Sequence, residues 1–329
     1  MKAVRRLLGT LVFVFMALPT MFGGLTLLSV RGWATDPAAY KALVADARFT
    51  ALLESPDLAR HVEDDIELGG LSLEGPAAVS AIQAAVPASA FVKTAENAID
   101  AVFETITGGG DALSIDLKPF KDAVAAGAGT FADTYLDKAE DPLAALPAGL
   151  LPPGAAEAAA TPQGAELTRT AFAGAVTGFA AGIPDAYVAD TAEMELPADL
   201  TPAKLSEGIA AAGIWLTIAS AALLVAAASM AESDWRKRLG RIGTGIMIPG
   251  AVILCVGLLP RLVNPAGMVP VPGVERVSEF TALAEYLRFV AGRLSGGFLT
   301  VGLVAVGTAT ALLSAKRAIP PAEDDEDIA

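Results

Sequence analysis

Cysteine and histidine are almost missing from this chain of 329 residues, which carries one of each. A single cysteine excludes a disulfide framework and any cysteine-based zinc site. A single histidine removes most of the usual catalytic and metal-binding constellations. Charge is also scarce: charged residues make up 18% of the chain against 53% hydrophobic, and the mean hydropathy is +0.53. A chain of this length has room for about two ordinary domains. Two soluble cores do not account for so much apolar surface, and the place left for it is a bilayer. Basic residues are the rarer sign, 23 against 37 acidic, for a formal charge of -14. Phosphate binding needs clustered Lys and Arg, so this balance excludes nucleic acid as a partner. No G-x-S-x-G, H-E-x-x-H, Walker A or dinucleotide-binding glycine pattern occurs.

What is present is a set of four long uncharged runs: Leu7 to Val30, Gly208 to Ala231, Ile242 to Pro260 and Leu294 to Ala315. Each is long enough to cross a hydrocarbon layer of ~30 Å as a helix. Four spans put both termini on one side. Lys2, Arg5 and Arg6 precede the first run, Arg236, Lys237, Arg238 and Arg241 fill the connection between the second and third, and Lys316 and Arg317 follow the fourth. These basic groups share one face if the N-terminus is cytoplasmic. The loop from Arg261 to Arg293 on the other face has four Arg of its own, mixed with Glu275, Glu279 and Glu285, which weakens the asymmetry without reversing it. The alternative for the first run is a cleaved signal peptide, with Met1 to Arg6 as basic region and Gly32-Trp33-Ala34 around the cut.

The fold expected is therefore an all-α multi-pass membrane protein, with four transmembrane helices and a large, mainly α-helical extracytoplasmic domain inserted between helices 1 and 2. Residues 1–6 form the cytoplasmic N-terminus, 7–30 the first span, and 31–207 the acidic domain, with a Pro/Ala-rich loop over 142–165. Spans at 208–231 and 242–260 flank a basic cytoplasmic loop, 232–241. An extracytoplasmic loop, 261–293, carries an amphipathic helix over 276–290, then come the span 294–315 and an acidic tail, 316–329. High Ala and absent disulfides fit the cytoplasmic (inner) membrane of a bacterium.

Between Arg31 and Glu207 lie 27 acidic and 10 basic residues, so the acidity of the protein is the acidity of this segment. Its pattern is helical. Asp36-Pro37 and Ser55-Pro56 each place a capping side chain before a Pro at the first helical position. Helices are expected over Pro56 to Ile66, Pro76 to Ala85, from Phe91 to the Gly108-Gly109-Gly110 stop, from Pro119 past Tyr135, and over Glu166 to Ala181. Leu113 to Leu117 and Ala186 to Val188 read as two short strands able to pair. Thr201-Pro202 starts a helix expected to run unbroken into the second span. The stripe Val277, Phe280, Leu283, Leu287 and Val290 suits either an interfacial helix or one packed under the acidic domain.

Residues that carry chemistry are few. His61 sits beside Glu63, Asp64 and Asp65 and reads as a solvated side chain on a helix, and Cys255, inside the third span, as a buried packing residue. The acids Glu63, Asp64, Asp65 and Glu67 lack calcium-loop spacing and read as a solvated face, so no metal, cofactor or catalytic residue is assigned. The spans contain no ionisable residue, which counts against a pump or proton-coupled transporter. They do contain small residues that let helices approach closely: Gly243, Gly245, Pro249 and Gly250 in the third, Gly296, Gly297, Gly302 and Gly307 in the fourth. These are the helix-packing candidates, with Pro249-Gly250 also a candidate hinge. The partners expected are the lipid bilayer and either another protein or a second copy through the transmembrane helices. The function expected is non-enzymatic binding or scaffolding of envelope components by the exported domain. The alternatives are an accessory or oligomeric channel or transporter subunit, and a hydrolase using carboxylates near Asp64 or Asp133.

Overall fold

The computed structural model describes residues 2–34, 36–62, 64–68, 71–108, 112–142, 145, 161–190, 202–232, 234–263 and 280–319. Most of the Pro/Ala-rich loop, the proline-rich stretch before the amphipathic helix, Glu63 and the acidic tail lie outside these residues. In chain order the elements are α1 (Lys2–Val12), a π-helical turn (Phe13–Ala17), α2 (Leu18–Ala34), α3 (Pro37–Val44), α4 (Ala47–Leu53) and α5 (Pro56–Arg60). There follow β1 (Ile66–Leu68), β2 (Leu71–Leu73), α6 (Gly75–Ala85), α7 (Ala88–Gly108), β3 (Ala112–Asp116) and α8 (Lys118–Lys138). Then come α9 (Pro162–Gly182), β4 (Ala186–Asp190), α10 (Pro202–Ala231), α11 (Trp235–Leu262), α12 (Thr281–Leu294) and α13 (Gly296–Ala318). About 83% of the described residues are helical.

Two compact units form. One comprises Met1–Asp36, Ala203–Val263 and Ala291–Ala329, the other Pro37–Pro202 and Asn264–Val290. Four helices are long and apolar enough to cross a membrane: Arg5–Ala34, Glu207–Ala231, Trp235–Leu262 and Thr281–Ala318. Each contains one of the four uncharged runs.

In the first unit these helices build a bundle around Phe13, Ala17, Met21, Leu25, Leu224, Ala227, Ile253 and Ala305. Its buried hydroxyls are satisfied within their own helices: Ser29 donates to the Leu25 carbonyl at 2.7 Å and Ser220 to that of Thr217 at 2.8 Å. The most extensive pairing is α11 with α13. At Gly302 a Cβ would lie 2.7 Å from the Leu254 amide nitrogen, and at Gly250 one would lie 2.8 Å from the Ala305 Cβ. Only glycine permits that approach. The Pro249-Gly250 pair does not break the helix: α11 runs through it, with Pro249 buried. Of the amphipathic helix expected over 276–290, residues 276–279 lie outside the described residues; the described helix runs from Thr281 to Leu294, one residue short of α13. Ser295 between them keeps helical backbone angles, φ -72° and ψ -12°.

The second unit is a small layered α-domain. α8 packs against both α6 and α9 over Leu71, Leu73, Ala78, Ala81, Val124, Phe131, Tyr135, Phe172 and Val176. β3 and β4 pair antiparallel, Ala112 opposite Asp190 and Asp116 opposite Ala186, covering the two expected strands. The expected helix over Pro56 to Ile66 is corrected. α5 ends at Arg60, and Ile66–Leu68 instead pairs with Leu71–Leu73 as a hairpin in the register Leu68 opposite Leu71. The alternation of Ile66, Leu71 and Leu73 into the core outweighs helical propensity there. α6 and α7 together are as apolar as a span, but they bend by 87° at Pro87. Ala77, Ala78 and Ala81 of α6 are buried in the core, and Lys93, Glu96, Asp100 and Glu104 punctuate α7, so the pair reads as domain core.

Candidate functional site

The bend between α6 and α7 makes the one sizeable concavity described in the second unit. Asp46 caps α4 by accepting from the Arg48 amide at 2.9 Å, and Ser55 caps α5 by accepting from that of Asp57 at 3.3 Å. Between these caps the chain turns at Glu54. The Gln83 side-chain amide reaches across from α6 and donates to the Leu53 and Ser55 carbonyls at 2.8 and 2.9 Å. This double bond holds the α4–α5 corner against α6, beside the α6–α7 bend.

Two adjoining hollows result. The deeper is apolar, about 170 Å³, and is floored by Leu58, Val79, Ile82, Val86 and Phe91. The other is an open cleft of about 550 Å³ along Thr50, Ser89, Val92, Lys93 and Glu96. Glu54 and Ala88 line both. In the cleft the Lys93 ammonium lies 3.7 Å from a Glu96 carboxylate oxygen. A hollow lined by aliphatic side chains at ~150 Å³ takes a benzene-sized group. The smaller hollow therefore suits one aromatic or branched apolar side chain, with the Glu54 carboxylate at its edge and Lys93 and Glu96 in the adjoining cleft.

None of the residues singled out for chemistry in the sequence lines this cleft. His61 is not a solvated helix residue. It caps the short α5, donates from Nδ1 to the Asp57 carbonyl at 2.8 Å and stacks on Phe280 with ring centroids 5.2 Å apart. Off the stripe but on the same helix, Phe49 meets Tyr286 at 5.4 Å and the Arg48 guanidinium lies 4.6 Å over Phe289. Of the stripe itself, Phe280 packs on His61, while Val277 lies outside the described residues. Asp133 is held by Arg169, Asp137 lies near Lys138, and the Glu140 amide donates to Glu74. Among the described residues no three His, Cys, Asp or Glu side chains converge to hold a metal ion. Cys255 is corrected too: it is exposed on the outer face of α11 alongside Val252, Val256 and Leu259, not packed inside.

The small residues of the spans divide. Gly243 faces Leu313 and Ala309, Gly250 faces Ala305, and Gly302 faces Leu254, all between α11 and α13. Gly245 abuts Leu224 and Phe13, and Gly297 abuts the Ser29 carbonyl of α2. Gly296 and Gly307 have nothing within 4 Å of an added Cβ. Gly24 and Gly257, which face Thr217 and Leu299, were not singled out. Their identity as isolated small residues in apolar runs was the available signal.

Sequence reasoning also missed a polar node that closes one end of the bundle. The Arg241 guanidinium donates to the Thr10 hydroxyl at 2.6 Å and to Glu232 at 3.3 Å, and it lies 5.4 Å over the Phe13 ring. Phe13 opens the π-helical turn, a wider turn of a kind often found where a helix serves function. Compared with protein-family models, curated proteins and solved structures, the chain matches none.

Proposed function

We propose that this chain is a non-enzymatic integral membrane protein whose helical domain, residues 31–207, stands outside the cytoplasm and binds or scaffolds other components of a bacterial cell envelope. Both termini are cytoplasmic in this reading. The observation that carries it is the cleft at the α6–α7 bend: an apolar hollow the size of one side chain, bordered by Glu54, beside an open cleft that holds Lys93 and Glu96. Such a site suits an exposed segment of a partner protein that presents one bulky apolar residue among polar neighbours. Support for the orientation comes from the basic groups at the start of α1, around the α10–α11 connection and at the end of α13.

The test uses the full chain in its native membrane with a photo-crosslinking residue at Val92 or Thr50. One polypeptide captured at both positions, and lost when Leu58→Asp places a charge in the hollow, is the expected result. Capture of nothing at either position would overturn the reading.

A second reading, a self-assembling channel or transporter subunit, is favoured by Gly307, which lies with the exposed Leu303 and Val304 on a face that no described residue covers. The bundle interior is apolar and its buried hydroxyls are internally bonded, so any polar path would form between copies. Crosslinks between copies through Gly307 would move weight to it.

A further inference from the structure

We propose that the end of the bundle bearing the basic groups binds the headgroups of anionic phospholipids, with acyl chains lying along the apolar helix faces beneath. The inference rests on these four helices crossing a bilayer and is independent of the cleft. Three contacts bring separate stretches of sequence to this end. Arg5 of α1 donates to the Ser229 carbonyl of α10 at 3.0 Å, and Arg241 of α11 donates to Thr10 of α1. Lys316 of α13 lies across Gly240 of α11, where an added Cβ would sit 2.9 Å from the ammonium nitrogen.

The cations gathered there fall into two sets. Arg5, Arg238 and Arg241 are committed to protein acceptors: the Ser229 carbonyl, the Glu232 carbonyl at 2.8 Å, and the Glu232 carboxylate with Thr10. They close the bundle. Arg6, Arg236, Lys237, Lys316 and Arg317 form no ion pair among the described residues. The two acids described at this end are already occupied, Glu232 with Arg241 and Asp234 in capping the Arg236 amide at 2.9 Å. Among the described residues, then, Arg6, Lys237 and Arg317 are exposed and Arg236 and Lys316 half-buried, and none of the five has an acid within ion-pair distance.

Their surroundings select a phospholipid over a free phosphate. Directly below Arg6, Leu7, Leu8 and Leu11 are exposed, and Trp235 stands exposed beside Arg236 and Lys237. An amphipathic indole at the rim, cations above and bare leucines below match headgroup, interface and acyl chain in turn. Each cation near an anionic surface strengthens association by roughly fivefold. Several together give preference for anionic over zwitterionic lipid, and the preference weakens as salt rises.

The experiment uses the full chain in detergent micelles and measures retention of dioleoyl-phosphatidylglycerol against dioleoyl-phosphatidylcholine by native mass spectrometry. The unsubstituted chain is expected to retain the anionic lipid about tenfold or more over the zwitterionic one, with soluble glycerol 3-phosphate failing to compete. The combined variant Arg236→Gln, Lys237→Gln, Lys316→Gln and Arg317→Gln is expected to lose that preference. The charge-preserving exchange of Arg for Lys and Lys for Arg at the same four positions keeps it, as does Arg261→Gln with Arg293→Gln. Equal retention of the two lipids by the unsubstituted chain overturns the proposal, and so does an unchanged preference in the fourfold Gln variant. Displacement by glycerol 3-phosphate overturns it in favour of a free phosphate site.

Discussion

The two units differ most in the large side chains they leave outside. In the second, the large side chains are inside: Tyr135, Phe172, Leu71 and Leu73 are almost fully enclosed. In the first, Phe15 is 72% exposed, Trp215 68% and Leu262 80%, while Ala228, Ala309, Ser220 and Gly302 occupy the interior. Both follow from one rule applied in two solvents. Water drives large apolar groups into a core in proportion to the area they hide. Lipid tails are as apolar as leucine, so nothing drives Phe15 inward, and helices associate through close packing at small residues. Close helix contacts at Gly302, Ala228 and Ala309, with large apolar side chains left outside as well as within, are thus what a bundle suited to hydrocarbon shows.

The same substitution in each unit should break this comparison most sharply. Phe172→Ala empties a fully enclosed site beside Tyr135 and is expected to cost ~3–5 kcal/mol. Phe15→Ala removes the same atoms from an outward face and is expected to leave stability within ~0.5 kcal/mol. Thermal unfolding of both variants in one detergent, followed by far-ultraviolet circular dichroism, which sees the helices of both units, measures the difference, and equal losses would show that Phe15 is covered. Next in size is Gly302→Leu, which drives a side chain into the Leu254 backbone and is expected to cost about 3 kcal/mol. Gly307→Leu meets nothing and is expected to be neutral in the monomer. Destabilisation by Gly307→Leu together with loss of an oligomer on size exclusion would instead reveal a partner helix at that face.

How far the sequence alone could go differed between the units for the same reason. The spans were legible because hydrocarbon thickness imposes length and forbids charge, so Leu7 to Val30 and Gly208 to Ala231 fall inside observed helices. The Ser55-Pro56 cap acts locally, and the helix begins where it stands. The helix expected from Glu166 begins earlier, at Pro162, where Thr161 caps it inside the stretch expected to be loop. The hairpin Ile66–Leu68 with Leu71–Leu73 was missed even though two glycines, at 69 and 70, separate two alternating apolar pieces, a short-range hairpin signal. The run of acids before it drew attention to solvation instead of period. The cleft was not legible at all. Glu54, Lys93 and Glu96 are ordinary surface residues in sequence, and only the Gln83 clamp on the α4–α5 corner and the 87° bend bring their elements together.

Smaller effects test whether the second unit behaves as a water-facing domain. The Tyr135 hydroxyl accepts from the Glu74 amide at 3.1 Å, and burial, reinforced by the Glu74 charge, raises its pKa above the usual phenol value. Tyr135→Phe leaves that amide without its partner and is expected to cost about 1 kcal/mol. A raised phenol contributes stability below its unfolded pKa and loses it as pH climbs through the folded one. Tyr135→Phe should therefore also flatten the alkaline limb of the stability profile.

The least effect belongs to Asp185, which precedes β4 and receives a hydrogen bond from the Lys121 ammonium at 2.7 Å. That bond, then the charge of Lys121, holds its carboxyl below the ordinary value. The sign is the reverse of the tyrosine's: stability is present above the unfolded pKa and is lost as pH falls through the depressed folded one. The carboxylate is fully exposed, so its contribution to stability is small and screened by salt. The sharper readout is the titration itself, followed by NMR on the full chain in detergent. Lys121→Met is expected to raise the Asp185 pKa back toward the ordinary carboxylate value, and 1 M salt to do part of the same in the unsubstituted chain. An Asp185 that titrates normally with Lys121 present would mean that water, not the ammonium, sets its environment. It would also mean that the link between α8 and the β3–β4 pair is carried by the Leu117 amide's bond to the Asp185 carbonyl, at 2.9 Å, without help from charge.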